Sequence, residues 1–132
     1  MSKNILVLLG NPDKDTFSGQ VATVYEEAAR AANHNVERVN IGELNFDPIL
    51  HRGYKEIQNL EPDLLDLQNK FRAANHIVIV YPNWWCTMPA LLKGVFDRFW
   101  LPGFAFNFNK ETKKLEKELE SLKLQVMFNF IL

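Results

Sequence analysis

Short apolar runs closed by turn residues alternate along this chain with stretches whose apolar positions recur at helical spacing. Asn4 to Gly10 is continuously apolar after its first residue and runs into Asn, Pro and Asp. That pattern predicts a strand buried on both faces and followed by a turn. Phe17, Val21, Val24, Tyr25, Ala28 and Ala32 then fall at helical spacing, with Thr16 or Ser18 placed to start the helix. Asn35 to Ile41 alternates as a shorter, more edge-like strand, completing a βαβ unit whose strands should lie parallel.

From Gly42 to Leu60 nothing is strongly periodic, and Asp47-Pro48 with Arg52-Gly53 marks a long surface excursion of the kind that often carries function. Pro62 suits the first turn of a helix with Leu64, Leu67 and Phe71 on its buried face. His76 to Tyr81 is the most sheet-like segment, rich in β-branched residues and stopping at Pro82. Met88, Leu91, Leu92, Val95, Phe96, Phe99 and Trp100 form a strong helical stripe, with Pro89 in its first turn and Pro102-Gly103 at its end. Leu115, Leu119 and Leu122 mark a weak, charged helix, and Leu124 to Ile131 reads as a fourth strand.

Strands alternating with helices predict a three-layer α/β/α domain around a parallel sheet. At 132 residues one domain over the whole chain is expected. Ligands of such sheets sit beyond the carboxyl ends of the strands, near a switch in strand order. The informative segments are therefore Gly10 to Ser18 and Pro82 to Met88.

Charge narrows the choice of ligand. With 15 basic and 16 acidic side chains the net charge is -1, so no global field attracts nucleic acid or an anionic membrane, and an anion must be held locally. The single cysteine, Cys86, permits no intrachain disulfide, which fits a reducing cytoplasm. No stretch has the length of a membrane span or the pattern of a secretory signal, so neither membrane insertion nor export is expected.

In Gly10 to Ser18, backbone N–H groups at a helix start, with the hydroxyls of Thr16 and Ser18, would cradle a phosphate. The plainer reading is a capped helix, because Ser and Thr at helix starts are mostly caps. In Tyr81 to Ala90, Trp84 and Trp85 are adjacent in a loop, where large rings need something flat to pack on. A planar aromatic ligand answers that need, with Asn83 and loop amides on the ring edge; the plainer reading places at least one indole in the core. Cys86 has no histidine in its loop, and His34, His51 and His76 fall in three different settings, so neither a catalytic thiol nor a metal site is expected. Phe104, Phe106 and Phe108 alternate after the third helix and would line an apolar pocket or meet a second subunit. Lys110 to Lys123 interleaves lysine with glutamate and reads as a solvated face.

Three segments resemble the flavodoxin-like NAD(P)H:quinone oxidoreductases, which include the DT-diaphorases and smaller bacterial quinone reductases and drug-activity modulators. Asp15-Thr-Phe-Ser18 resembles their flavin-phosphate loop, and Tyr81-Pro-Asn-Trp-Trp85 their isoalloxazine loop. The most specific match is Met88 to Phe99 with Leu101 to Phe106, similar to their dimer helix and substrate-pocket strand, and Asn45 to Pro48 adds a shorter one. The resemblance covers roughly residues 3 to 108. It implies a flavodoxin-like fold with strand order 2-1-3-4, a non-covalent FMN or, alternatively, FAD, NAD(P)H as reductant and a homodimer. The implied reaction is two-electron hydride transfer to a quinone-like acceptor, with the reactivity in the cofactor and no catalytic side chain required. Asn11, Thr16, Phe17 and Ser18 would hold phosphate, Pro82, Asn83, Trp84, Trp85 and Cys86 would border the flavin ring, and Phe104 and Phe106 would line the substrate pocket. Asn11 stands where relatives often have His, keeping a donor but losing a possible charge. Relatives continue past the fourth strand into a further flavin-touching loop and a fifth strand, so a truncated sheet is expected here. The alternatives are an FMN-binding electron carrier without a hydride substrate and a non-enzymatic regulatory subunit of a potassium-efflux transporter.

Overall fold

The structure is a computed structural model, and it describes residues 1–117 and 123–130. In chain order its elements are β1 (Asn4–Leu9), α1 (Phe17–Ala31), β2 (Asn35–Asn40), α2 (Pro62–Ala73), β3 (His76–Asn83), α3 (Ala90–Phe99), β4 (Phe106–Asn109), β5 (Lys114–Lys117) and β6 (Lys123–Phe130). Single 3-10 turns at Ile41–Glu43 and Gly53–Lys55 interrupt the excursion between β2 and α2. Four strands form a parallel sheet in the order β2-β1-β3-β6, with Leu8 opposite Val39 and Ile79, and Ile79 opposite Val126. This is the predicted 2-1-3-4 order, its fourth member being β6, and the predicted three layers.

Strict side-chain alternation divides the sheet residues between two cores. Leu6, Leu8, Ile77 and Ile79 face α2 and α3, meeting Leu64, Leu67, Phe71, Leu92, Val95 and Phe99. Ile5, Val7, Leu9, Val78 and Val80 face α1. The α2–α3 side is bound by aromatic edges: Phe71 lies 4.9 Å from Phe99 and 6.1 Å from Trp100, ring centre to ring centre, near perpendicular in both cases. Such edge-to-face pairs add about 0.5–1.5 kcal/mol each to the burial of the rings.

Four expectations need correction. The buried face of α1 is Ser18, Gly19, Ala22 and Ala29, whereas Phe17 and Val24 are 59% and 65% exposed. Small residues let the helix approach the sheet closely, and that fit outweighs the larger apolar side chains a turn away. β3 runs through Pro82 to Asn83 instead of stopping at Tyr81. Val80 O accepts the Gly10 N–H on the β1 side, so the ring nitrogen of Pro82, two residues on, also faces that side, beyond the last β1 partner, and forfeits no ladder bond. α3 begins at Ala90, with Pro89 as its N-cap, not at Met88.

The fourth correction concerns the charged helix expected around Leu115. Lys114–Lys117 is instead a strand, paired antiparallel with Phe106–Asn109. Asn109 Oδ1 accepts the Glu111 and Thr112 amides in the connecting turn, and Lys113 takes a left-handed φ of 55°. Turn chemistry of this kind commits the chain to a hairpin against a weak helical preference. Leu119, Leu122 and Ile131 lie outside the described residues.

Candidate site at the carboxyl ends of β1 and β3

The β1–α1 turn is held by side-chain to backbone bonds. Asn11 is 4% exposed; its Oδ1 accepts the Asp13 amide at 3.0 Å and its Nδ2 donates to Thr16 Oγ1 at 3.1 Å. Asp13 Oδ1 accepts the Asp15 amide at 2.9 Å. Thr16 Oγ1 also accepts the Gly19 amide at 3.3 Å and donates to Asp13 O at 3.1 Å. That hydroxyl has therefore used its proton and both lone pairs, and Thr16 acts as the helix cap. The Ser18 side chain is buried on the sheet side of α1. Neither hydroxyl projects as a phosphate ligand, so a cradle here would consist of first-turn backbone N–H groups other than that of Gly19, which Thr16 caps. The Phe17 ring stands exposed beside them.

Two glycines give the turn its shape. A Cβ on Gly19 would lie 1.8 Å from Lys14 O, and one on Gly42 would lie 1.8 Å from Pro12 O. The second contact brings the chain after β2 against the turn, and Lys14 Nζ reinforces it with a 2.6 Å bond to Glu43 Oε1. That bond raises the Lys14 pKa and, with Asn40, lowers that of Glu43.

The segment after β3 carries strain. Trp84 N donates to Thr87 O at 2.9 Å and Thr87 N to Trp84 O at 3.1 Å, closing a two-residue turn. Its central residues, Trp85 and Cys86, have φ of 54° and 64°. Positive φ at both centres is the type I′ signature, for which Asn and Gly are the favoured residues. Two L residues, neither of them Asn nor Gly, hold it here, at roughly 1–2 kcal/mol each. Trp85 is 97% and Trp84 41% exposed, so neither indole is the core residue the plainer reading called for. Cys86 is a free, exposed thiol. Asn83 Oδ1 is shielded from solvent and has no hydrogen-bond partner among the described residues. An acceptor left this way costs about 1–3 kcal/mol.

Phe104, expected as pocket lining, is 3% exposed and packs 5.5 Å from Phe99 and 6.0 Å from Trp100, with the Arg72 guanidinium 4.9 Å above its ring. Its ring is taken up by the core, and Phe106 rests half-buried against the same cluster. A cavity of about 340 Å³ lies elsewhere, at the amino ends of the strands, lined by Ile5, Tyr25, Ala29, His34 and His76 among others. Parallel sheets bind ligands at the opposite end, where both loops described above lie.

Sequence reasoning missed the strained turn, the unpartnered Asn83 oxygen and Arg98. Arg98 is fully buried, and its one visible signal is a charge on the apolar stripe of α3, three residues after Val95. Among the described residues no group of three His, Cys, Asp or Glu side chains is placed to hold a metal, and no helix is long and apolar enough to cross a membrane.

These features define a class. A family model described as flavodoxin-like fold matches residues 3–129. The chain belongs to that family. An uncharacterized NAD(P)H oxidoreductase of Haemophilus influenzae is 33% identical over 109 residues, covering 78% of this chain and 53% of its own. NAD(P)H dehydrogenase (quinone) 1 of Rattus norvegicus is 25% identical over 127 residues, covering 80% and 46%. The chain thus spans about half the length of the curated relatives it matches. Among solved structures, an NAD(P)H:quinone oxidoreductase from Methanothermobacter marburgensis superposes with a TM-score of 0.83 at 24% identity, covering 98% of this chain and 68% of that one. An FMN-dependent NADH-azoreductase from Bacillus anthracis, in complex with FMN, gives 0.73 at 18% identity, covering 98% and 69%.

Proposed function

We propose that this chain is the flavin-holding part of an NAD(P)H:quinone oxidoreductase, binding FMN in preference to FAD at the carboxyl ends of β1 and β3 and working as a homodimer in the cytoplasm. One observation carries the reading: a strained turn displays Trp84 and Trp85 to solvent directly beside the unpartnered Asn83 oxygen. Strain, exposed rings and an orphaned acceptor each destabilise the folded chain, and a planar ligand with N–H groups on its edge compensates the last two together.

The donors present fit a flavin phosphate and ring. The start of α1, shaped by Asn11 and Thr16, offers amides to the phosphate, while Phe17 and Ser18 contribute through their backbone. Pro82 fixes the end of β3, Asn83 accepts from the ring edge, and Trp84, Trp85 and Cys86 form the wall beside it. Bound flavin would supply the chemistry, taking a hydride from NAD(P)H and passing it to a quinone-like acceptor. The protein's part is to position the ring and exclude water, and no side chain is required as acid or base. Phe106, on the rim of the aromatic cluster, would border the acceptor, with Phe104 supporting it from within. Relatives named as NAD(P)H oxidoreductases and quinone dehydrogenases support the choice of reaction.

The test is fluorescence titration of the purified chain with FMN and then FAD, followed by anaerobic NAD(P)H. Saturable quenching near one flavin per chain, weakened by Trp85→Ala, with bleaching on reduction, is the expected result. Binding without reduction would favour a carrier, and no binding at tens of micromolar would refute the site.

A further inference from the structure

The excursion between β2 and α2 is joined to the rest of the molecule chiefly at its neck. Arg98, on α3, has a side chain with no exposed surface. Its two terminal nitrogens reach both ends of the excursion: Nη1 donates to Asp47 O, Nη2 to Asn59 O at 2.9 Å, and the pair to the Glu61 carboxylate at 3.1 and 3.0 Å. Glu61 Oε1 also accepts the Asp47 amide at 3.1 Å. A single buried guanidinium and a single carboxylate thus bring the two ends of the loop together.

Beyond that neck the bonding turns inward. Asp47 Oδ1 accepts the Ile49 amide at 2.9 Å, Gln58 Oε1 the His51 amide at 3.2 Å, and Gln58 Nε2 donates to Ile49 O at 3.0 Å. Among the described residues, none between Ile49 and Gln58 belongs to either core cluster, while Ile49, Tyr54 and Ile57 are 58%, 72% and 95% exposed. The first apolar residues that pack on the core lie outside the neck, at Phe46 and Leu60. Pro48 is lodged against Gly94 of α3, where a Cβ would come within 2.5 Å of the proline ring. A segment with local hydrogen bonds, few buried contacts and one polar fastening beside the Pro48 contact opens as a unit of its own.

We infer that Arg98 and Glu61 are the clasp of a strap running from Asp47 to Asn59, which swings open from α3 while the parallel sheet stays folded. The pair holds both sides of the neck, so neutralising Glu61 weakens its two bonds from Arg98 and its bond from the Asp47 amide together, leaving the neck to the two carbonyl bonds. Among the described residues Arg98 Nε has no partner in its buried position, so the two terminal nitrogens make all of the guanidinium's bonds to the neck. Lysine at that site would have one ammonium for three acceptor groups and could not span the neck. This inference stands apart from the flavin reading and needs no ligand for its test.

The experiment is amide hydrogen exchange on the full chain, comparing the natural protein with Glu61→Gln and Arg98→Lys, with trypsin nicking after Arg52 and Lys55 as a second readout. In the natural protein the Ile49, His51 and Gly53 amides should be protected. In Glu61→Gln that protection should fall by on the order of tenfold or more and nicking should accelerate in step, while Leu6 to Leu9 and Val78 to Val80 keep theirs. Equal loss of protection in strap and strands would overturn the inference by making the pair a support of the whole domain. Unchanged strap protection in Glu61→Gln would overturn it too. Should Arg98→Lys fail to fold, the milder Glu61→Gln decides alone.

Discussion

Replacing Cys86 with Gly removes one of the two left-handed residues in the β3–α3 turn without disturbing packing, because the Cys86 side chain is exposed. Relief of the positive φ contributes roughly 1–2 kcal/mol, and the extra freedom of Gly in the unfolded chain takes back about 0.5–1 kcal/mol. The net is a gain of about 0.5–1 kcal/mol, which in a chain of this length raises Tm by roughly 2–5 °C. Cys86→Val probes the same strain from the other side, since a β-branched residue tolerates this φ worst, and should lower Tm. The assay is thermal unfolding by circular dichroism in the absence of ligand, checked by urea midpoints at unchanged slope. A Gly variant no more stable than the natural chain, with Val tolerated, would refute the claim that this turn stores strain. The site reading adds a second arm: a relaxed turn holds its indoles less firmly, so FMN affinity should fall in the Gly variant even as its Tm rises.

Gly19→Ala drives a Cβ to within 1.8 Å of Lys14 O, so the β1–α1 turn must move; a loss of about 1–3 kcal/mol and of FMN affinity is expected, measured by urea unfolding and titration. Asn83→Ala deletes a buried acceptor that has no partner among the described residues, so ligand-free stability should stay level or rise while FMN binding weakens about tenfold, roughly 1.4 kcal/mol; undiminished affinity would remove Asn83 from the site. Burial alone would push the Glu61 carboxyl up, but hydrogen bonds from Arg98 and the Asp47 amide outweigh it and hold its pKa below the usual carboxylate range. The stability it contributes is therefore complete above the unfolded value of about 4.3 and is lost as pH falls through the lower folded value, which exchange of the Ile49 and His51 amides across pH 7 to 3 would follow. Phe71→Ala vacates the centre of the aromatic cluster and should cost about 3–5 kcal/mol in urea unfolding; a loss under 1 kcal/mol would mean the rings repack freely.

The sheet was legible because its two central strands are buried on both faces and so consist of unbroken apolar runs, Ile5 to Leu9 and Ile77 to Val80. Its order followed from the βαβ grammar. The face of α1 was not legible, because its packing depends on the smallness of Ser18, Gly19 and Ala22, and a pattern of large apolar residues pointed a turn away. The β4–β5 hairpin hid behind a helical spacing of leucines, since Asn109 and Lys113 set the turn through bonds and dihedrals that composition does not display. In the site, Trp84 and Trp85 were legible as residues too large for a loop without a purpose. Thr16 was visible too, but its role was decided by a bond count that only the folded loop provides.

Two regions of the molecule differ in a way that bears on function. On the α2–α3 side Phe71, Phe99, Trp100 and Phe104 interlock, and even the buried charge of Arg98 has carbonyl and carboxylate partners. At the carboxyl end of β3, within four consecutive residues, stand an unpartnered acceptor, two exposed indoles and two left-handed non-glycine residues. A turn needed only to connect β3 to α3 would lose all of this strain with Asn-Gly at its centre, at no expense to the core, because nothing in the core touches Trp85 or Cys86. The conflict between local preference and fold is thus concentrated, among the described residues, at the place where a ligand would meet the chain, as expected where binding supplies the missing partners. That reasoning also orders the experiments: ligand should raise the stability of the natural turn more than that of the Gly variant, because only the natural turn holds the indoles ready to bind.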